Sequence, residues 1–345
     1  MDNTMFSVLI PAYNVEPYIS ECLQSISCQS YFNFEVIIVD DGSTDRTGKI
    51  CDAFAQADSR FVVFHNTNHG LIYTRRFAIA RAKGDYILFV DSDDYLDTCA
   101  FETINKSIEQ THCDCVIYGL RQICNGKVIY ENTESENVFL CDKHSIYKKY
   151  FITDKYNNLW RKAVRRSAFD GRDYTQFYHL SMGEDILQSV EIVQNSNSIA
   201  FLSDILYNYR VNPKSITQTV KFQKYTVDFT VRQYVYNQVK KDNILTNEEW
   251  KEFCLMCLMR ICDEVSKISS FNTTERNKKR LYQEIKSTEY YRAVIDNSEK
   301  RKLSTRYFLI YTLFKLNFYP LISAMRKTMQ VWRTNDGKQD AKSEV

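Results

Sequence analysis

Glycine and proline are scarce in this sequence, with nine and four among 345 residues, which excludes a low-complexity or linker-rich chain. Charge of one sign is not in excess either, because 45 Lys and Arg stand against 43 Asp and Glu and leave a formal net charge of +2. A nearly neutral chain lacks the bulk positive potential of nucleic-acid proteins. We therefore expect no nucleic-acid partner.

The cysteines do not form a disulfide framework. They number eleven, an odd count, and are scattered along the chain. Cys254 and Cys257 form a lone C-x-x-C without a second pair at zinc spacing, so packing inside a helix is the favoured interpretation. Residues 1–7 hold no basic segment followed by a long apolar one, and no secretory signal is predicted. Free thiols in the cytoplasm are expected.

Short apolar runs alternate with helical patterns through the first third of the chain, which predicts an α/β fold with a mostly parallel, doubly wound sheet. The predicted strands are 6–10, 35–39, 61–64, 86–90 and 114–118, with helices at 17–29 and 71–83. Ser43 is predicted to cap the second helix and Gly84 to end the third. Asn125-Gly126 predicts a hairpin turn. Later come a helix opening at Glu184 and strands at 199–202 and 205–209. We place domains at 1–220 and 221–333, the second helical, and a disordered tail at 334–345.

Polar residues follow three of these strands, at 11–14, 40–43 and 91–94. Ligands of such sheets bind beyond the carboxyl ends of the strands, so these clusters are expected to meet at one edge. Asp91 and Asp93 lie two apart and project to the same side. They suit Mn²⁺ or Mg²⁺, which prefer oxygen ligands and bind phosphates. An ordinary acidic loop is the open alternative.

Other charged residues allow a functional and a plain interpretation. Asp41 can bind a base or ribose, or can cap a helix. Arg75 can bind phosphate, or can belong to a solvated helix face. Glu184 and Asp185 can supply a general base, or can place negative charge at a helix N-terminus.

Together these segments resemble family 2 glycosyltransferases, inverting enzymes of the GT-A fold. The resemblance covers residues 6 to about 217. The matching stretches are 7–14, 39–45, 68–71 with Arg75, 82–86, 90–94, 158–161, 183–185, 209–210 and 215–217.

The resemblance implies transfer of a sugar, of the hexosyl or N-acetylhexosaminyl class, from a nucleotide-sugar donor to a glycan or lipid-linked acceptor in polysaccharide biosynthesis. UDP is the expected nucleotide. Asp185 would be the general base, helped by Glu184, and Asp93 would bind the divalent metal. The residues implied to contact the nucleotide or diphosphate are Pro11, Tyr13, Asp41, Arg75, Asp91, Ser92, Arg210 and Ser215.

Two rival functions use similar sheets. A non-catalytic nucleotide-sugar-binding or assembly protein would not need the 184–185 carboxylates beside those of 91–93. A sugar-phosphate nucleotidyltransferase would need a Gly-rich phosphate loop after the first strand, and residues 11–14 are not one.

The most apolar stretch, 307–325, is interrupted by Lys315, Asn317 and Pro320, so a membrane-spanning helix is not expected. Basic residues flank it at 300–302, 306 and 326–327. Such a segment suits an interfacial helix, giving peripheral contact with the inner face of the plasma membrane through 300–327. A helix packed on the catalytic domain with a solvated basic edge is the open alternative.

Overall fold

The computed structural model describes residues 4–153, 155–180, 183–211, 223–269, 271 and 273–325. The chain divides into two compact units. The first consists of Met1–Tyr150 with Lys155–Thr219, and the second of Phe151–Asp154 with Val220–Val345.

The first unit is built on a ten-stranded sheet with strand order β3-β2-β1-β4-β9-β6-β10-β5, to which β7 adds beside β6 and β8 beside β10. The strands are β1 Phe6–Ala12, β2 Phe34–Asp40, β3 Phe61–His65, β4 Tyr86–Phe89, β5 Tyr95–Leu96, β6 Cys115–Cys124, β7 Lys127–Asn132, β8 Val138–Leu140, β9 Lys162–Arg165 and β10 Ile199–Arg210. The helices are α1 Glu16–Ser27, α2 Thr47–Ala57, α3 Leu71–Ile79, α4 Ala100–Thr111, α5 Lys143–Tyr147 and α6 Glu184–Asn195.

The central strands β3, β2, β1 and β4 are parallel, as is the pair β6 and β10, whereas β9 runs antiparallel between β4 and β6. Consecutive residues of the central strands, such as Leu9 with Ile10 and Ile37 with Ile38, are all buried. Neighbouring side chains of a strand point to opposite faces, so both faces of this sheet are covered. The predicted α/β fold with a mostly parallel sheet is confirmed.

Two predicted helix boundaries are wrong. Helix α2 begins only at Thr47, and the hydroxyl of Ser43 accepts a hydrogen bond from the Asn14 backbone N–H at 3.0 Å instead of capping it. Helix α3 ends at Ile79, well before Gly84. A Cβ at Gly84 would lie 2.6 Å from the backbone nitrogen of Ser7, so this glycine serves a close approach of two chain segments.

The hairpin turn at Asn125-Gly126 is confirmed, since it joins β6 to β7 and both residues have positive φ. The two strands predicted near the end of the unit are one strand, β10. Its pairing with β6 shifts register between Phe201 and Tyr207. An irregularity of this kind absorbs extra residues without ending the strand, and it interrupts the apolar pattern that the sequence shows.

The second unit contains the helices α7 Gln223–Asp242, α8 Asn247–Ile268, α9 Glu275–Ser287, α10 Glu289–Asn297 and α11 Thr305–Lys315, and residues 319–325 are also helical. Thr246 and Glu249 form a reciprocal capping box that starts α8. Cys254 and Cys257 are buried on α8, in accord with a packing role. Among the described helices, none is long and apolar enough to cross a membrane.

Candidate active site

The loops after β1 and β2 meet at the carboxyl edge of the sheet, because the two strands are parallel neighbours. Asn14 joins them: its side-chain oxygen accepts the Thr44 backbone N–H at 2.8 Å. Pro11 is partly buried at the end of β1, and the Tyr13 ring beside it is 48% exposed. A flat aromatic face is therefore open to solvent at this edge.

Asp41 connects the loop after β2 to the start of α3. Its two carboxylate oxygens accept the backbone N–H groups of His69 and Gly70, each at 2.9 Å. Gly70 precedes α3 with a φ of 89°, which favours glycine. These two bonds hold the loop in place, and the contact of Asp41 with a nucleotide base stays a prediction.

The acidic loop after β4 is held by β10. Asp94 is almost fully buried, and its carboxylate accepts the Tyr207 hydroxyl at 2.8 Å and the Arg210 backbone N–H at 2.7 Å. The Tyr207 oxygen accepts the Asp91 backbone N–H at 3.1 Å. The Arg210 side chain then donates from Nε to the carbonyl oxygen of Asp93 at 3.0 Å. Strand β10 thus fixes the shape of this loop and sets Arg210 beside it.

In this loop the carboxylates of Asp94 and Asp91 are bound by protein groups, and that of Asp93 is available to a ligand. No other described residue hydrogen-bonds to it. Burial raises its pKa, against a hydrogen bond from its own backbone N–H and the positive charge of Arg210. The described residues contain no cluster of three or more His, Cys, Asp or Glu side chains able to hold a metal. A single carboxylate nevertheless fits Mg²⁺ or Mn²⁺, which complete their shells with phosphate oxygens and water. Ser92, between the two acidic residues, is buried.

Arg75 joins the acidic loop to the start of α6. Its guanidinium donates to Oδ1 of Asp91 at 3.1 Å and to Oδ1 of Asp185, and it lies 3.9 Å from Oε1 of Glu184. The side chain is only 1% exposed. One cation on α3 therefore binds the sheet edge to α6, whose Asp185 lies 110 residues further along the chain than Arg75. The contact of Arg75 with the nucleotide stays a prediction.

Three carboxylates around one guanidinium leave the site with excess negative charge. Burial, supported by Asp185 and Asp93 and opposed by Arg75, raises the pKa of Asp91 to about 6. Burial and Asp185, again opposed by Arg75, raise the pKa of Glu184 to about 7. Burial acts to lower the pKa of Arg75, but the negative charges of the three carboxylates have the larger effect, and its pKa is raised. The site therefore favours a bound proton or cation.

Two buried polar atoms here have no hydrogen-bond partner among the described residues, Oε2 of Glu184 and Nε of Arg75. Buried polar groups in proteins are nearly always satisfied, so a ligand group is expected to complete them. Ser215, predicted near the diphosphate, lies outside the described residues.

Three residues that hold the site were missed from the sequence: Tyr207, Arg76 and Glu191. Arg76 donates to Glu191 on α6 at 2.8 Å. Tyr207 contacts Asp94, 113 residues away, and its position inside an apolar strand pattern gives no signal of that role.

Residues 7–171 match the family description "Glycosyl transferase family 2". "Glycosyltransferase GlyG" of Streptococcus pneumoniae serotype 4 (strain ATCC BAA-334 / TIGR4) is 43% identical over 232 residues, covering 62% of this chain and 73% of that protein. "Uncharacterized glycosyltransferase EpsJ" of Bacillus subtilis (strain 168) is 31% identical over 217 residues, with 62% and 63% covered. The chain thus spans less than two thirds of EpsJ, and only 33% of the pneumococcal "Glycosyltransferase GlyA".

A solved structure with the same fold is that of S. aureus TarS 1-349, with a TM-score of 0.68 at 20% identity over 94% of this chain and 91% of that one. The same fragment in complex with UDP-GlcNAc gives a TM-score of 0.67. The sequence comparison also finds TarS, named "Poly(ribitol-phosphate) beta-N-acetylglucosaminyltransferase TarS", of Staphylococcus aureus (strain Mu50 / ATCC 700699). It is 31% identical to this chain over 210 residues, which cover 59% of this chain and 35% of that protein. The fold is GT-A, and the chain belongs to glycosyl transferase family 2.

Proposed function

We propose that this chain transfers a sugar, of the hexosyl or N-acetylhexosaminyl class, from a UDP-sugar to a hydroxyl of a glycan or lipid-linked acceptor, with inversion at the anomeric carbon. The observation that carries the proposal is the grouping around Arg75. One buried guanidinium brings Asp185 and Glu184 of α6 to Asp91, two residues from the available carboxylate of Asp93. Carboxylates that can act on the acceptor therefore lie close to polar residues that can bind the diphosphate of the donor.

The donor is expected to lie along the carboxyl edge of β1, β2 and β4. The exposed ring of Tyr13 and the loop held by Asp41 suit the nucleoside, and Arg210 carries a positive charge toward the diphosphate. That a neighbour of the same fold was solved with UDP-GlcNAc supports UDP as the nucleotide and an N-acetylhexosamine as one candidate sugar.

Asp185 is the proposed general base. Arg75 binds its Oδ1, no described residue hydrogen-bonds to its Oδ2, and its side chain is 21% exposed. Oδ2 can therefore take the proton of an acceptor hydroxyl while the acceptor oxygen forms its bond to the anomeric carbon. The bond from that carbon to the diphosphate oxygen breaks in the same step, and UDP leaves with the electron pair.

Glu184 has a different proposed role. Its raised pKa leaves the carboxyl partly protonated near neutral pH, and its buried Oε2 has no partner among the described residues. A carboxyl in that state can exchange hydrogen bonds with a hydroxyl of the donor or acceptor sugar.

Asp93 would hold the divalent ion, Mn²⁺ or Mg²⁺, whose chemistry when bound is to stabilise the negative charge of the departing diphosphate. Arg210, whose Nη2 also contacts Glu21 at 2.6 Å, is held next to this position by its bond to the Asp93 carbonyl. It adds a fixed positive charge on the same side of the reaction.

The second unit supports a membrane-side location. Five apolar side chains near its end are 44–55% exposed: Phe308, Leu309, Leu316, Phe318 and Leu321. The nearby basic residues Arg301, Lys302, Arg306 and Lys315 are exposed as well. This combination suits peripheral contact with anionic lipid on the cytoplasmic side, where the free thiols of all eleven cysteines are also stable. Arg326 and Lys327, counted in the predicted contact, lie outside the described residues.

The test is a panel of nucleotide-sugars, each incubated with the chain and Mn²⁺, Mg²⁺ or a chelator, with sugar release and anomeric configuration as readouts. We expect hydrolysis of a UDP-sugar that depends on metal, and loss of it in Asp93→Ala and Asp185→Asn. Full turnover by Asp185→Asn would remove the base assignment, and a retained configuration would exclude single displacement. Binding of UDP without any turnover would favour a non-catalytic nucleotide-sugar-binding protein.

A further inference from the structure

A second ion pair joins α3 to α6 beyond the one at the site. Arg76, next to Arg75 on α3, donates from Nη1 to Oε2 of Glu191 at 2.8 Å. The Glu191 side chain is fully buried and that of Arg76 is 13% exposed. A buried ion pair is costly to form and strongly unfavourable to break on one side only. Its presence inside the unit therefore calls for a reason other than stability.

Glu191 is also the centre of a small polar network. Its Oε1 accepts the Asp170 backbone N–H at 2.9 Å, and the Tyr174 hydroxyl lies 3.2 Å from its Oε2 and 3.2 Å from the Leu187 carbonyl oxygen. The Arg76 guanidinium lies over the Tyr174 ring at 5.3 Å. Both oxygens of Glu191 are thus occupied by groups of the protein. The network is a structural connection and leaves no place for a ligand.

The pairs of Arg75 with Asp185 and of Arg76 with Glu191 contact α6 at two positions along its axis. Asp185 and Glu191 are separated by about 9 Å along a helix that rises 1.5 Å per residue. The buried face of α6 already restricts its movement. Two polar contacts to adjacent residues of α3 add a directional restraint on both its rotation and its axial position. Gly183, the residue before α6, makes no side-chain capping bond, so the first turn depends on contacts of this kind.

We propose that Arg76 and Glu191 are positioning residues that hold α6 in the rotation and height at which Asp185 meets both Arg75 and the acceptor. The proposal rests on Asp185 as the general base of the proposed function. Neither residue touches the reacting atoms. Their effect is expected to fall on the rate of the chemical step and to spare the binding of the nucleotide, which lies along β1, β2 and β4.

The test compares Glu191→Gln and Arg76→Met with the wild type, using the nucleotide-sugar that the wild type hydrolyses fastest. Glu102→Gln is the matched control, because Glu102 pairs with Lys106 at 2.8 Å on α4 with both side chains largely exposed. Displacement of a catalytic group by about 1 Å can cost about a hundredfold in rate. We expect kcat to fall about ten- to a hundredfold in both variants, with KM for the donor and the calorimetric Kd for UDP within about twofold. The control should keep both constants.

Hydrogen exchange of the amides of residues 187–191, which lie where the intrahelical hydrogen bonds of α6 begin, gives a readout that needs no substrate. We expect faster exchange there in Glu191→Gln than in the control, since the first turn loses its second restraint. Arg76→Lys, which keeps the charge, should recover part of kcat and serves if Glu191→Gln does not fold. A lowered Tm with wild-type kcat per folded molecule and unchanged exchange would overturn the proposal.

Asp185→Asn, measured in parallel, separates the two proposals. Turnover by that variant would remove the base assignment, and the exchange data alone would then decide whether Arg76 and Glu191 hold α6. If Asp185→Asn is inactive while Glu191→Gln has wild-type kcat, the positioning role is wrong and the base assignment stands.

Discussion

The ion pairs of Arg75 and Arg76 in the first unit are far more buried than the pair of Arg280 on α9 in the second. In the first, the guanidinium groups of Arg75 and Arg76 are 1% and 13% exposed and lie among carboxylates. In the second, the pair of Arg280 with Glu284 has 79% and 47% of its side chains exposed. Exposed pairs contribute little to stability, and buried ones cost desolvation that good geometry must offset. The comparison teaches that the charges worth studying for function are those the fold has buried.

The largest expected effect is that of Arg75→Met. Removing the guanidinium leaves Asp91, Glu184 and Asp185 facing one another without a cation, so we expect the free energy of unfolding to fall by about 3–5 kcal/mol. Turnover should fall as well, because Asp185 loses the group that orients it. Denaturant unfolding and donor hydrolysis measure the two effects. Wild-type stability would show that these carboxylates reach solvent or partners in another way.

The surface of the second unit gives the next prediction. Phe308→Glu with Leu316→Glu, placed on two of its exposed apolar positions, should reduce sedimentation with anionic vesicles several-fold, because both charge and lost apolar contact oppose binding. Val128→Glu on β7, equally exposed in the first unit, is the control and should leave vesicle binding unchanged. A wild-type chain that stays in the supernatant would reject the membrane contact.

A smaller effect is expected in the dependence of stability on pH. Burial raises the pKa of Glu184 from 4.5 to about 7. The folded chain therefore keeps protons that the unfolded chain has released, and the resulting stability is complete below about pH 4.5 and is lost as the pH rises through about 7. Thermal unfolding of the wild type and Glu184→Gln between about pH 5 and 8 should show a weaker decline with pH in the variant. Equal slopes would contradict the raised pKa of Glu184.

The smallest effect is expected at an exposed ion pair. Arg280→Met removes an exposed pair on α9 and should change the free energy of unfolding by no more than about 0.5 kcal/mol. Denaturant unfolding beside Arg75→Met gives the contrast directly. A loss as large as that of Arg75→Met would show that exposure is a poor guide to the role of charges in this chain.

Much of the fold could be predicted from the sequence, because strands and helices are set largely by patterns of apolar and polar residues over a few positions. The apolar runs that became β1, β2 and β4 cannot remain in water, and the acidic residues after β4 mark the end of that strand. The predictions that failed concern elements whose ends depend on distant neighbours. Ser43 contacts Asn14, and Gly84 makes room for the backbone of β1.

The site divides in the same way. The sequence by itself determined that carboxylates would stand at the ends of strands and at the start of a helix, since alternation and capping patterns act over a few residues. Only the tertiary structure decided that Arg75 would join Asp91 to Asp185, that Tyr207 would hold Asp94, and that Arg76 would pair with Glu191. These contacts join residues far apart in the chain, and their energy depends on burial, which exists only once the sheet and α6 have come together.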